Sequence, residues 1–375
     1  MKQHEDWHRM LNFQSEPTSL RGATLSWDIT KACNLACGHC SNADDRAHAG
    51  KDLKIEDAAH LLAEFVDAGG TGLHILGGEP LLRKDILTTI ALACELQLRV
   101  SMTTNGTILP SPEVVEWLLS KLATLTFSID GYNPAINDRI RGAGSFAQTT
   151  QTICAFKQCS FETASKTRLN VSHVLCKANV MHLVEMLDCA GQHGADEISV
   201  TYLKPFGNAL NLAAPEAAQV SDLRDAFVAA SRYAQNHEAL AVTLFEVPLR
   251  MRNWLRAQSF EKVGFGGDDY CDTAEGQLRL SSDGNVFPCF AGTKQSTAFK
   301  TSANEIKTTR IQLKEILQTD FFNDFKQTAH QALRSTPWNI CQECTYFHAR
   351  SCYPGCPFEP ENVKPRLCQL LEVAQ

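Results

Sequence analysis

Six short segments between Thr24 and Lys204 read as strands, and the gaps between them carry stretches of helical period. The strands are expected at residues 25–30, 72–76, 98–104, 124–130, 168–175 and 197–203. Ile55, Ala59, Leu62 and Val66 recur at helical spacing in the first gap, and Ile86, Ile90 and Cys94 do so in the second. Ser111-Pro112-Glu113 supplies an N-cap, a proline at the first position and an acid in the first turn, while Asn179 opens a further helix. Such alternation implies a parallel sheet with right-handed crossovers. Six units make a partial (β/α)6 TIM barrel, an α/β fold.

The strand patterns have two faces. In the fourth, Leu125, Phe127 and Ile129 alternate with Thr126, Ser128 and Asp130. The same small polar set recurs as Ser26, Asp28 and Thr30, as Ser101, Thr103 and Asn105, as Asn170 and Ser172, and as Ser199 and Thr201. Helices between the strands must cover the apolar face, so the polar face is expected to line the lumen. A closed barrel fills its interior with bulky aliphatic side chains, and a small polar interior implies room for a ligand.

Past Lys204-Pro205-Phe206-Gly207-Asn208 the pattern changes to a helix over 221–236, with Leu223, Phe227 and Ala230 on one stripe, and a strand over 242–247. Residues 278–280 and 286–290 flank Ser281-Ser282-Asp283-Gly284-Asn285, which reads as a hairpin with Asp-Gly at its turn. The division expected is an N-terminal extension (1–21), the partial barrel (22–210), a helix and strand linker (211–263) and a cysteine-rich module (264–375). The 375 residues carry a formal charge of −7 and no basic cluster of the kind nucleic acid requires. There is no apolar run of membrane length and no hydrophobic leader, so the expected compartment is the cytoplasm, without membrane. Fifteen cysteines fit poorly with a fully paired disulfide framework. Cys94, Cys154, Cys159, Cys176 and Cys189 fall within the helix and strand patterns and read as small buried hydrophobes.

The rest form two groups. Cys33, Cys37 and Cys40 follow the first strand at Cys-x3-Cys-x2-Cys spacing. Three thiolates so placed can hold three irons of one cubane and leave the fourth iron open to a substrate. Zinc is the alternative for three close thiols, with His39 or His48 as a further ligand. Together with Gly77-Gly78-Glu79-Pro80 after the second strand, the spacing resembles the radical S-adenosylmethionine (SAM) enzymes. The resemblance implies that Cys33, Cys37 and Cys40 hold the radical-generating cluster. Gly77 and Gly78 let backbone approach the SAM amino group, Glu79 and Pro80 fix the turn, and His39 resembles the adenine-contacting position. Ser128-Ile129-Asp130-Gly131 resembles the family's ribose and carboxylate motif. The run from Asn137 to Gly142 resembles its His-Asp-x-x-Arg-Gly segment, with Asn for His, and makes Arg141 a partner for the SAM carboxylate. Thr104, Asn105 and Ser172 complete a polar ring.

The second group is Cys271, Cys289, Cys341, Cys344, Cys352, Cys356 and Cys368. Its order, with Gly284 before Cys289, resembles the SPASM extension of a subset of radical SAM enzymes, although the gap from Cys344 to Cys352 is slightly long. The resemblance implies two auxiliary clusters and three [4Fe-4S] clusters in all. Cys341, Cys344, Cys352 and Cys368 would hold the outer one, and Cys271, Cys289 and Cys356 the inner. The inner set is one ligand short. Either a carboxylate such as Asp268 or Asp269 completes it, or one iron is open; Asp268, Asp269 and Tyr270 are also candidates on the substrate side.

SPASM enzymes mostly act on ribosomally made peptides or protein side chains, so the expected activity is hydrogen abstraction by a 5′-deoxyadenosyl radical, leading to a carbon–carbon (cyclophane-like) or thioether crosslink. Cys40-Ser41-Asn42 looks more like the crosslinkers of pyrroloquinoline quinone biosynthesis than like sulfatase maturases. The other readings are an enzyme of haem-type cofactor biosynthesis, a sulfatase-type maturase and, from another class, an iron–sulfur electron carrier. Expected partners are a precursor peptide and a reductant such as flavodoxin or ferredoxin. Roughly twenty residues precede the first strand, too few for a fused peptide-recognition domain, which points to a separate leader-binding protein or to the barrel surface.

Overall fold

A computed structural model describes residues 20–43, 52–203, 208, 217–247, 249–266, 277–288 and 313–318. The six expected strands are present as β1 (Thr24–Asp28), β2 (Gly72–Leu76), β3 (Arg99–Thr104), β4 (Thr124–Ser128), β5 (Arg168–Leu175) and β6 (Glu197–Tyr202). Helices α1 (Ile55–Asp67), α2 (Ile86–Glu95) and α3 (Pro112–Lys121) fill the first three crossovers. The fourth takes α4 (Pro134–Arg141) and α5 (Ser145–Thr163), and the fifth α6 (Leu183–Gln192). All six strands pair in order and in parallel.

The parallel sheet continues at both edges. After α7 (Val220–Asn236), β7 (Ala241–Phe245) adds to β6; after α8 (Leu249–Ala257), β8 (Gly264–Gly266) adds to β7. On the opposite edge β9 (Gln277–Leu280) pairs in parallel with β1, and β10 (Val286–Phe287) closes an antiparallel hairpin with β9. Gly284 takes φ +91° in that turn, a conformation its lack of Cβ permits. The boundaries expected at 211 and 264 thus fall within one hydrogen-bonded sheet. Val242, Leu244, Leu278 and Leu280 alternate in the same way as the first six strands, so they extend the same core.

That core lies between the sheet and the helices. Leu25, Trp27, Leu73, Ile75, Val100, Met102, Leu125, Phe127, Leu169, Val171, Ile198 and Val200 are each no more than 1 % exposed. Fully burying such a side chain contributes about 1.5–3 kcal/mol. Helix α7 packs Leu223, Phe227 and Ala230 inward, the stripe its spacing predicts. Helix α1 differs, because its buried face is Ala58, Leu61, Leu62 and Phe65 rather than Ile55, Ala59, Leu62 and Val66. Phe65 decides the rotation: its ring packs so closely on Gly70 that a Cβ there would lie 2.2 Å from it.

The opposite face of the sheet carries the small polar residues. Asn170 Nδ2 donates to Thr126 Oγ1 (3.2 Å), and Ser199 Oγ donates to Asn170 Oδ1 (3.3 Å), giving a polar row across β4, β5 and β6. His74 lies in register between Ser26 and Ser101, with Nε2 at 2.9 Å from Thr103 Oγ1. Burial, and then the charge of Arg279, push the His74 pKa down to about 4, so the ring is neutral at pH 7.

Candidate active site

The carboxyl ends of the strands surround a cavity of about 400 Å³, within the roughly 300–1,000 Å³ of small-molecule sites. Leu76, Gly77 and Gly78 after β2, Thr103 to Asn105 at β3, Ser128 at β4, Val174 at β5 and Thr201 to Leu203 at β6 line it. The loop that leaves β1 closes the remaining side with Cys33, Leu35, Cys37, His39, Cys40, Ser41 and Asn42. All three thiols face this one space. Cys37 is buried, and burial pushes its pKa up, with Arg141 acting in the opposite direction.

The cysteine loop has no regular structure, so its polar groups are tied down from outside. Gly38 N donates to Ile140 O (3.0 Å), and Cys37 Sγ approaches Arg141 O (3.7 Å) at the end of α4. Asn105 Nδ2 donates to Asn34 Oδ1 (2.8 Å) and lies 3.9 Å from Cys33 Sγ. Asn208 N and Nδ2 donate to the carbonyls of Cys40 (3.0 Å) and Cys37 (3.1 Å).

The Gly77-Gly78-Glu79-Pro80 turn lies directly on that loop. Gly78 N donates to Thr30 O and Glu79 N to Ala32 O, both at 2.7 Å. A Cβ on Gly78 would sit 2.0 Å from Ala32 O, and one on Gly77 2.6 Å from Thr30 O, where φ is also +132°. The two glycines are therefore required by the contact between turn and cysteine loop, a reason that the linear motif does not reveal. Glu79 is fully buried and accepts from Leu81 N (3.1 Å), Thr104 Oγ1 (2.8 Å) and Asn105 N (2.7 Å). Burial pushes its pKa up, partly offset by these bonds. Pro80 begins a 3-10 turn, Pro80–Leu82, and is buried as well. Both residues act from behind the wall.

Asp130 is the hub of the other wall. Its carboxylate is fully buried, with Oδ2 at 2.6 Å from Arg141 Nε and 3.0 Å from His39 Nε2, while Oδ1 accepts from Val174 N (2.8 Å). Burial alone would raise its pKa, but the Arg141 guanidinium and then His39 outweigh that and hold the carboxyl well below the usual carboxylate range. Asn137 Oδ1 accepts from Asp130 N, which gives the Asn in the His position of the family segment a structural task. Asn179 does not cap a helix with its side chain. It bridges instead, accepting from Cys176 N and donating to the Asp130 and Val174 carbonyls.

Of the residues singled out in the sequence, Cys33, His39, Cys37, Cys40, Gly77, Gly78, Thr104, Asn105, Ser128 and Arg141 line the cavity. Glu79, Pro80 and Asp130 do not. Their side chains are buried because the cysteine loop, the glycine turn and α4 pack over them, and they support the wall instead of facing a ligand. Ser172 lies in register between Ser128 and Ser199 on the polar face, away from the cavity lining. Asp268, Asp269, Tyr270 and the cysteines at 271, 289, 341, 344, 352, 356 and 368 lie outside the described residues. Asn208 and Arg279 were not singled out as site residues, since only chain folding brings them to the cysteines. For Arg279, the alternation Gln277-Leu278-Arg279-Leu280 was the available signal.

The donor set fits an iron–sulfur cubane with SAM. Three thiols of one loop share one cavity with a glycine cradle. A cubane takes one thiolate per iron, which suits three thiols spread around one cavity. His39 Nδ1 and Asn42 Oδ1 are buried at the cavity with no hydrogen-bond partner among the described residues, which leaves them available to a group outside the chain.

Comparison with known proteins agrees. The radical SAM superfamily model matches residues 27–189, and the SPASM model, an iron-sulfur cluster-binding domain, matches residues 271–345. An AdoMet-dependent heme synthase of Methanosarcina barkeri is 31% identical over 185 residues, 49% of this chain and 51% of that protein. The mycofactocin maturase MftC of Mycobacterium ulcerans is 31% identical over 209 residues, 55% of this chain and 54% of its own length. The chain thus spans about half the length of the curated relatives it matches. The fold is that of Streptococcus suis SuiB, solved bound to S-adenosylmethionine and to precursor peptide SuiA. Both structures give a TM-score of 0.68 at 18% identity, covering 93% of this chain and 77% and 76% of SuiB respectively. Residues 27–189 of the chain thus match the radical SAM superfamily, and residues 271–345 match the SPASM iron–sulfur cluster-binding domain.

Proposed function

We propose that the chain is a peptide maturase that abstracts hydrogen from a ribosomally made peptide and so forms a carbon–carbon or thioether crosslink. The observation that carries this reading is the convergence of Cys33, Cys37 and Cys40 on the same cavity as Gly77, Gly78, Asn105, Ser128 and Arg141. Likeness to a mycofactocin maturase supports the peptide substrate. Cys33, Cys37 and Cys40 are the residues to hold the radical-generating [4Fe-4S] cluster. When bound, that cluster and SAM supply a 5′-deoxyadenosyl radical able to take hydrogen from an unactivated carbon.

The chain's own residues prepare the space for it. Arg141 offers a cation at the wall, with Asp130 fixing its orientation, and Ser128, Thr104 and Asn105 offer polar groups for a nucleoside. The lumen below is lined by hydroxyls, a neutral His74 and the ion pair of Asp28 with Arg279. Cys341, Cys344, Cys352 and Cys368 are proposed for an outer auxiliary cluster, and Cys271, Cys289 and Cys356 for an inner one. Asp268 or Asp269 is a candidate for its remaining ligand, and Tyr270 for substrate contact. The electron donor is proposed to be a flavodoxin or ferredoxin, and the site of action the cytoplasm; among the described residues no helix is long and apolar enough to cross a membrane.

A second reading, work on a haem-type tetrapyrrole, has one observation behind it: the 31% identity to a heme synthase. The genes beside this one separate the two. A short open reading frame whose peptide loses a pair of hydrogens on incubation with reconstituted protein, SAM and dithionite supports maturation. A run of tetrapyrrole enzymes, with no change in any such peptide, supports the second reading.

A further inference from the structure

Asp28 ends β1 and meets partners from distant parts of the chain. Arg279 on β9 donates from Nε to Oδ2 (2.7 Å) and from Nη2 to Oδ1 (2.6 Å), a two-pronged pair with side chains 11 % and 17 % exposed. Asn42, two residues past Cys40, donates from Nδ2 to Asp28 Oδ1 (3.2 Å). Because Arg279 stands opposite Ser26 in the sheet register, it reaches along the strand to Asp28 on the same face. A guanidinium fork can hold both carboxylate oxygens at once, which a lysine cannot.

The cysteine loop is therefore held at two ends by different parts of the fold. Cys33 and Cys37 are tied to the end of β3 and to α4, through Asn105 and through Ile140 and Arg141. The segment after Cys40 is tied through Asn42 to Asp28, whose two oxygens Arg279 holds. Strand β10, the partner of β9, ends at Phe287, two residues before Cys289.

We propose that Arg279 is a positioning residue for the cysteine loop: by locking Asp28 it locks Asn42, so the C-terminal hairpin sets where the Cys40 thiol stands. The placement of the third thiol then depends on docking of this hairpin, which lies within the residues 271–345 that match the SPASM model. The inference rests on the proposed function only in treating this loop as cluster-bearing.

Hydrogen exchange of the full-length chain, metal-free and reconstituted, tests it without reading activity. In Arg279→Met the amides of residues 40–43 are expected to exchange about tenfold faster, the size expected for loss of a charge-assisted bond. Residues 37 and 38, and strand β4, keep their wild-type rates. Asp28→Ala loosens residues 40–43 at least as much, and Arg279→Lys gives an intermediate rate. Three results overturn the proposal. One is an Arg279→Met rate at residues 40–43 within about twofold of wild type. Another is equal acceleration across β4, which marks general loosening, and the last is loosening by Asp28→Ala alone. Absence of cluster from wild-type protein contradicts the proposed function and leaves the exchange result to be judged by itself.

Discussion

Replacing Asp130 by Asn keeps the shape of the hub and removes its charge. The carboxylate is fully buried, and Arg141, whose side chain is 9 % exposed, lies 2.6 Å from Oδ2. Asn can still accept from Val174 N with its oxygen, but its amide then faces the guanidinium, donor against donor. Breaking a buried pair by removing one partner costs about 3–5 kcal/mol, because the remaining charge has no compensation. At roughly 2–4 °C per kcal/mol for a domain of this size, Asp130→Asn is expected to melt about 6–20 °C below wild type. Thermal and urea unfolding of wild type, Asp130→Asn, Arg141→Met and the double variant at pH 7 measure this. The double variant is expected to be more stable than Asp130→Asn alone, since it strands no cation. The pH dependence has a defined sign. Asp130 has a folded pKa below its unfolded value, so its stabilisation is present above about pH 4 and is lost as pH falls toward the folded value. The gap between wild type and Asp130→Asn is thus full at neutral pH and narrows in acid. A stability within about 1 kcal/mol of wild type, or strictly additive effects of the two substitutions, refutes the hub.

Other consequences can be checked alongside. Glu79 has a raised folded pKa, so its contribution is present below about pH 4.3 and is lost as pH rises through the folded value; Glu79→Gln removes that slope from the stability profile. Gly78→Ala drives a methyl into the Ala32 carbonyl and is expected to cost at least about 1–3 kcal/mol, together with lower iron content after reconstitution. Iron analysis of reconstituted wild type is expected near twelve per chain, about four of which disappear in the Cys33/Cys37/Cys40→Ala variant. A wild-type value near four removes the auxiliary pair.

The strands were legible because each needs an apolar face for the helices and a polar one for the lumen, a period-2 pattern that survives in a single sequence. The cysteine spacing and the glycine turn were legible because both are local. What was not legible is how polar groups satisfy one another across the fold. His39, Asp130 and Arg141 each read as a ligand contact, yet folding brings them together and one carboxylate takes two of its neighbours. Gly77 and Gly78 read as room for a ligand, and the close neighbour is the backbone of Thr30 and Ala32. Asn179 read as a helix start, and it does precede the 3-10 turn Val180–His182 that runs into α6, but no local pattern shows that its side chain braces the strand ends. The bond from Arg279 to Asp28 spans 251 positions, and no local pattern records such a pairing.

The central claim is that Cys33, Cys37 and Cys40 arm this cavity for radical chemistry, and the most direct measurement is 5′-deoxyadenosine formed from SAM by anaerobic, reconstituted protein with dithionite. Formation by wild type, and its loss when any of the three cysteines is replaced by Ala, is the predicted result. No 5′-deoxyadenosine from wild type with a full iron complement contradicts the account and leaves an electron carrier as the better reading.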